Sequence, residues 1–147
     1  MKAPYVIGRM IFGGFFLKSG IDHIRHKKHM AKYAQAKGVP KPEIAVVLSG
    51  VPLIIGGASL LLGVKPRLGA IAVLGFLAGV SPIMHDFWQN EDPNERQTNM
   101  INFAKNIALA GGALAMLGVE DQRRPALWIM EPTFGEQLRE IGKRIAA

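Results

Sequence analysis

The 147-residue chain contains no cysteine. That absence excludes disulfides, thiolate metal sites and a dithiol redox role for the chain itself. There is also no glycine-rich phosphate loop, no dinucleotide fingerprint and no serine in a nucleophile's setting, so nucleotide chemistry and covalent catalysis have no visible basis. Acidic residues are scarce, 11 against 18 Lys and Arg, and the formal net charge is +7. The basic residues sit in short clusters, RHKKH, KPR and QRR, between apolar runs. No basic face remains to follow a nucleic-acid backbone, and lipid headgroups with membrane orientation account for these clusters better.

What the chain has in quantity is apolar side chains, 49%, together with 17 glycines and 9 prolines. Glycine is costly inside a helix in water, whereas in lipid it lets helix backbones approach closely. Four segments, roughly 4–24, 42–64, 67–88 and 98–119, are long and apolar enough to be spans. Segments of this length reach about 30–34 Å as helices, the thickness of a hydrocarbon core. The expected fold class is therefore all-α: a membrane four-helix bundle with both termini on one side. A soluble bundle of helices apolar on every side would need a much larger protein around it. The first segment runs into KSGIDHIRHKKH without a small-residue cleavage pattern, so a retained span is expected rather than a removable signal.

The connections differ in kind. HKKHMAKYAQAKGVPKPE is basic and helix-forming until Gly38 and Pro40 stop it, VKPR is a tight turn, and QNEDPNERQ is an acidic proline turn. Residues 1–119 form the expected four-span domain. Residues 120–147 form an extramembrane tail whose end, FGEQLREIGKRI, suits an amphipathic surface helix or an ordinary solvated segment. Five Lys and Arg near the spans on the side of the termini, against seven on the other, set no orientation.

The second span ends GGASLLLGV and the fourth GGALAMLGV, identical at six of nine positions. The first and third spans finish in mirrored pairs, Asp22-His23 and His85-Asp86. Two hairpins repeated in the same direction would bring both pairs to one membrane face. Gly75, Gly79, Pro82 and Asp86 lie within about 40° of one another on a helix, which points Asp86 into the bundle along a small-residue stripe. Lys105, well inside the fourth apolar segment, then needs a counter-charge, for which Asp86 and Asp22 are the candidates. Lys18, one turn before Asp22, can pair with it locally. Arg9 shares its face of the first span with Gly13 and Gly20 and is expected to snorkel to headgroups, the other reading being contact with an anionic lipid or ligand.

The candidate site is thus His23, His85, Asp86, Lys105, Asn102, Asn106 and Asp22, with His26 nearby. A hydrogen-bonded plug that sets helix register is the structural reading. The functional one is a proton-exchanging or quinone-binding pocket, in which histidine and aspartate trade protons and a histidine bonds a quinone carbonyl. No catalytic residue is assigned. A metal is not expected because the His and Asp spacing matches no ligand motif, and axial haem ligation by His23 and His85 is disfavoured by their interfacial depth.

The succession RMIFGGFFLKSGIDHI, VPKP before a span ending GGASLLLGVKPRLGA, HDFW and NFAKNIALAGGAL resembles the DoxX family of small four-helix membrane proteins, over roughly residues 5–119. The resemblance maps the family pattern onto Arg9, Gly20 and His23; onto Gly56, Gly57 and Gly63; onto His85 and Trp88; and onto Phe103, Lys105 and Asn106. Many members carry a glutamate shortly before the paired glycines, where this chain has an apolar stretch around Leu53; a role of that acid would be absent here or moved to Asp22 or Asp86. The resemblance implies a bacterial inner-membrane protein of a family associated with terminal quinol oxidase and thiosulfate:quinone oxidoreduction, with oxidative-stress assemblies and with secretory cargo handling. The expectation is an accessory subunit of a quinone-linked respiratory or oxidative-stress oxidoreductase system, with other membrane or peripheral redox proteins as partners. Its cofactor is unassigned, a quinone being the candidate. The rival expectation is a non-catalytic scaffold that docks partners through its basic loop and tail.

Overall fold

The computed structural model describes residues 3–119. Among these there are five helices and no strand: α1 Ala3–Arg25, α2 Lys27–Ala36, α3 Pro42–Leu62, α4 Pro66–Met84 and α5 Pro93–Leu117. Proline opens α3, α4 and α5, where its missing N–H is one that no helix satisfies. Asp92 caps α5, its carboxylate accepting from the Asn94 and Glu95 amides at 2.9 Å. The basic connection is helical as far as Ala36 and then turns at Gly38, which takes the left-handed φ of +74°. The C-terminal tail, residues 120–147, for which a surface helix or a solvated segment is expected, lies outside the described residues.

Helices α3, α4 and α5 are each long and apolar enough to cross a membrane. Large apolar side chains such as Ile11, Leu48, Ile55 and Leu68 are exposed, an exterior suited to lipid rather than water. The chain folds around α3, which packs most closely on α1 and also on α4, while α4 packs on α5. Phe16, Leu53, Leu60, Ala70, Val73, Leu77 and Ala113 form the core between them.

Glycine sets the α1–α3 contact. A Cβ on Gly13 would stand 2.8 Å from the Gly57 carbonyl oxygen, and one on Gly20 2.8 Å from that of Gly50. The antiparallel helices therefore meet at two glycine pairs, each pair two helical turns from the next. On the other side of α3, Gly56 and Gly69 bring α4 equally near, a Cβ on Gly69 falling 2.7 Å from the Gly56 carbonyl.

Two expectations are corrected. The third apolar segment stops being helical at Met84, not at residue 88, and its buried face is Pro66, Gly69, Ala70, Val73, Leu77 and Ser81. Gly75, Gly79 and Pro82 are exposed, and a Cβ on Gly75 or Gly79 would meet nothing within 4 Å. The stripe thus turns away from the α3 contact, with Gly79 on the wall of a cavity beneath α2, and Asp86 reaches its place through the unwound segment after Met84. The repeated nonapeptides also pack differently: Gly56 abuts Gly69, whereas Gly111 faces open space, and Gly63 is left-handed where Gly118 has φ −76°. Sequence identity there reflects shared small-residue composition more than shared contacts.

Substituting Gly57 by Ala should lower stability in detergent by about 1–3 kcal/mol, because the new methyl meets the α1 backbone rather than a movable side chain. Gly75→Ala should leave the thermal midpoint unchanged or raise it slightly. Thermal unfolding of the two variants checks both.

Candidate functional site

The C-terminal ends of α1 and α4 and the N-terminal ends of α3 and α5 share one face of the molecule, and α2 is packed there against α3. Beneath α2 lies a cavity of about 630 Å³. Its walls are largely apolar, with Met30, Val46, Phe76 and Val80 among them, and its polar groups include His23, Tyr33, His85 and Asn106.

His23 is fixed from two sides. Its Nδ1 lies 2.8 Å from the Ser19 carbonyl oxygen, and a carbonyl only accepts, so Nδ1 carries the proton and Nε2 is left free. The ring meets Phe76 edge to face at 5.7 Å, and its Cβ sits where a side chain on Gly50 would collide, at 2.8 Å. His85, the residue that ends α4, is held by an amide chain from the other direction. Its Nδ1 donates to Asn99 Oδ1 at a long 3.3 Å, and Asn99 Nδ2 donates to Asn90 Oδ1 at 2.9 Å. Asn99 is buried, 7% exposed, so this orientation follows from satisfying both ends of its amide. Both histidines thus line one cavity with Nδ1 committed elsewhere.

Helix α2 is latched to the end of α4. Tyr33 donates its hydroxyl hydrogen to the Met84 carbonyl at 3.0 Å, one of the terminal carbonyls that α4 itself cannot satisfy. Lys37 forms an ion pair with Asp86, both side chains 16% exposed. The hydrogen bond between them holds the Asp86 carboxyl below its ordinary range and the Lys37 ammonium above its own. The segment after α4 is pinned to α5 by aromatic contacts: Phe87 meets Trp88 at 5.1 Å and Phe103 at 5.6 Å, and Trp88 meets Phe103 at 5.8 Å. Trp88, 52% exposed, is therefore both an interfacial residue and part of this cluster.

The expected partner of Asp86 is corrected. Lys105 is exposed on α5 and makes no ion pair with a described residue, while Lys37 takes Asp86 and Lys18 takes Asp22 at 2.5 Å. The reason is that α2 folds back over the face and delivers Lys37 to Asp86. Asp22 also has His26 Nδ1 at 3.9 Å. Of the asparagines, Asn106 lines the cavity and Asn102 is half-buried on α5 away from its walls. Arg9 does not reach outward; it is completely buried at the opposite end of α1. Tyr33, Lys37, Asn99 and the cavity-lining His29 are contributors that sequence reasoning left out of the site. Tyr33 and Lys37 lie one turn apart in a helix-forming segment, a spacing that marks a shared face. Among the described residues, no three His, Asp or Glu side chains gather closely enough to hold a metal ion.

A chain whose described residues form only helices, with an apolar exterior, several apolar spans and a polar-ended cavity at one end, is an integral membrane protein. The chain belongs to the DoxX family, whose model matches residues 5–86, from the first turns of α1 through Asp86. Over 111 residues it is 28% identical to the inner membrane protein YphA of Escherichia coli strain K12, covering 76% of this chain and 79% of that one. No solved structure matches.

The Lys37–Asp86 latch has a definite pH signature. A depressed carboxyl contributes stability above its ordinary pKa and loses it as pH falls through the folded value; a raised ammonium contributes below its ordinary pKa and loses it as pH rises through the folded one. The latch should hold from about pH 4 to about pH 10. Asp86→Asn should cost about 1–2 kcal/mol at neutral pH, between exposed and buried pairs, and the difference from wild type should shrink in acid. Lys105→Met should leave the melting temperature unchanged. Thermal unfolding in detergent across this pH range measures all three.

Proposed function

We propose that this DoxX protein is a four-span bundle of the bacterial inner membrane, with α1 as the fourth span and both termini on one side, and that it serves as an accessory subunit of a quinone-linked oxidoreductase system. The observation that carries this reading is the cavity of about 630 Å³ with His23 and His85 in its walls. That volume falls in the range of small-molecule sites, about 300–1,000 Å³. A largely apolar chamber with a few polar groups suits a substituted ring with oxygen at its edge. With Nδ1 tied to Ser19 or Asn99, each neutral histidine offers Nε2 as an acceptor for a quinol hydroxyl. When protonated, the same nitrogen donates to a quinone carbonyl. Asn106 on the cavity wall adds a second polar contact. Asp86, engaged by Lys37, positions α2 over the chamber, and Asp22, engaged by Lys18, stands outside it. The name of the Escherichia coli relative supports the inner-membrane placement.

A second reading, a scaffold without a ligand, draws on the exposed basic side chains of Lys27, Lys28 and Lys32 on α2, which would meet an acidic partner. On that reading the tail from residue 120 onward is the second docking element.

Titration of a short-chain ubiquinone analogue against the purified protein in detergent separates the two. The wild type should bind saturably, and His23→Ala with His85→Ala should weaken binding by about tenfold or more, the worth of lost hydrogen bonds. Absent binding by the wild type, or equal binding by both proteins, would leave the scaffold reading.

A further inference from the structure

Arg9 is fully buried in α1, and none of its three guanidinium nitrogens has a hydrogen-bond partner among the described residues. A buried, unpaired guanidinium is among the costliest groups a fold can contain, and it persists where something answers its charge. The fold makes room for it deliberately. Gly63 ends α3 in the left-handed conformation, and a Cβ at that position would stand 2.5 Å from one terminal nitrogen and 2.7 Å from the guanidinium carbon. The Gly63 turn is itself braced by the Ser59 hydroxyl, which lies 2.6 Å from the Val64 carbonyl and 3.0 Å from that of Lys65.

Among the described residues, the charged side chains at this face are all cationic. Lys65 and Arg67, both exposed, flank the start of α4 immediately beyond this turn. The six described carboxylates, Asp22, Glu43, Asp86, Glu91, Asp92 and Glu95, all belong to the opposite end of the helices, with α2. At this face the N-termini of α1 and α4 present positive dipole ends and the C-termini of α3 and α5 negative ones, so the helix dipoles largely offset and the side chains set the charge. Tyr5, one turn before Arg9 on the same side of α1, is half-buried and supplies a hydroxyl near the surface.

We propose that Arg9, with Lys65 and Arg67, binds a phosphate oxyanion at this membrane face, supplied by the headgroup of an anionic phospholipid. A planar guanidinium with unused donors is the group best shaped to bond two phosphate oxygens at once, and the two exposed cations draw the anion from the interface. The site is independent of the cavity beneath α2, which lies at the other end of the bundle.

The test measures thermal protection of the full chain in detergent by dihexanoyl phosphatidylglycerol, by dihexanoyl phosphatidylcholine and by inorganic phosphate. The phosphatidylglycerol should protect the wild type and the zwitterionic lipid should not. Lys65→Gln with Arg67→Gln, both at the surface, should raise the apparent Kd for the anionic lipid by about fivefold per charge removed, and Arg9→Gln should abolish the preference. Protection by inorganic phosphate as well would show that the oxyanion alone suffices, with the lipid as one source of it. Equal protection of the wild type by both lipids would overturn the proposal. So would an Arg9→Gln protein that melts lower yet keeps the lipid preference, since Arg9 would then serve only the carbonyl end of α3. Should Arg9→Gln not fold, the surface double variant decides: an unchanged Kd overturns the site.

Discussion

The close approach of α1 to α3 is the contact on which the rest of the structure depends. Gly13 faces Gly57 and Gly20 faces Gly50, so the two backbones meet where any side chain would hold them apart. Lipid offers no hydrophobic drive for helices to associate, and close van der Waals packing of small residues takes that role. The same seam continues past the glycines at both ends. Toward one membrane face it brings Arg9 under Gly63; toward the other it brings His23 against Gly50. Both polar features of α1 are therefore placed by one register, and a shift of that register would displace both.

The second organising element is α2. Without it the ends of α3 and α4 would open to the interface, and the chamber that His23 and His85 line would lack its cover. Two contacts hold it there, Tyr33 on the Met84 carbonyl and Lys37 on Asp86. Asp86 consequently acts as an anchor for the cover, while His85 beside it, tied to Asn99, belongs to the chamber wall. Two neighbours that look like a single proton-exchanging pair along the chain divide into a structural half and a cavity-lining half.

Much of this was legible beforehand, and the failures are instructive. The helical class, the end of the basic helix at Gly38 and the Lys18–Asp22 pair all follow from local rules of periodicity, turn residues and spacing. Arg9 was legible in part: it shares a face with Gly13 and Gly20, and a glycine face is a packing face, which argues for burial over snorkelling. The stripe of Gly75, Gly79 and Pro82 obeys the same spacing yet turns away from α3, Gly79 onto the cavity wall, because α4 meets α3 through Gly69 instead. Spacing identifies residues that share a face without saying which of two small-residue faces a neighbour will take. Lys105 meets no described acid for a related reason: Lys37 on another helix takes Asp86.

By itself the sequence determined the length, polarity and punctuation of the helices, because proline, glycine and apolar runs act within a few residues of themselves. It also determined that acid–histidine pairs close the first and third apolar segments. Only the tertiary structure decided which lysine neutralises Asp86, that His23 and His85 look into one chamber, and that Arg9 is buried with no partner among the described residues. Each of these depends on residues far apart in the chain meeting across a helix interface, and that meeting is set by glycine-to-glycine contact, which no local pattern specifies uniquely.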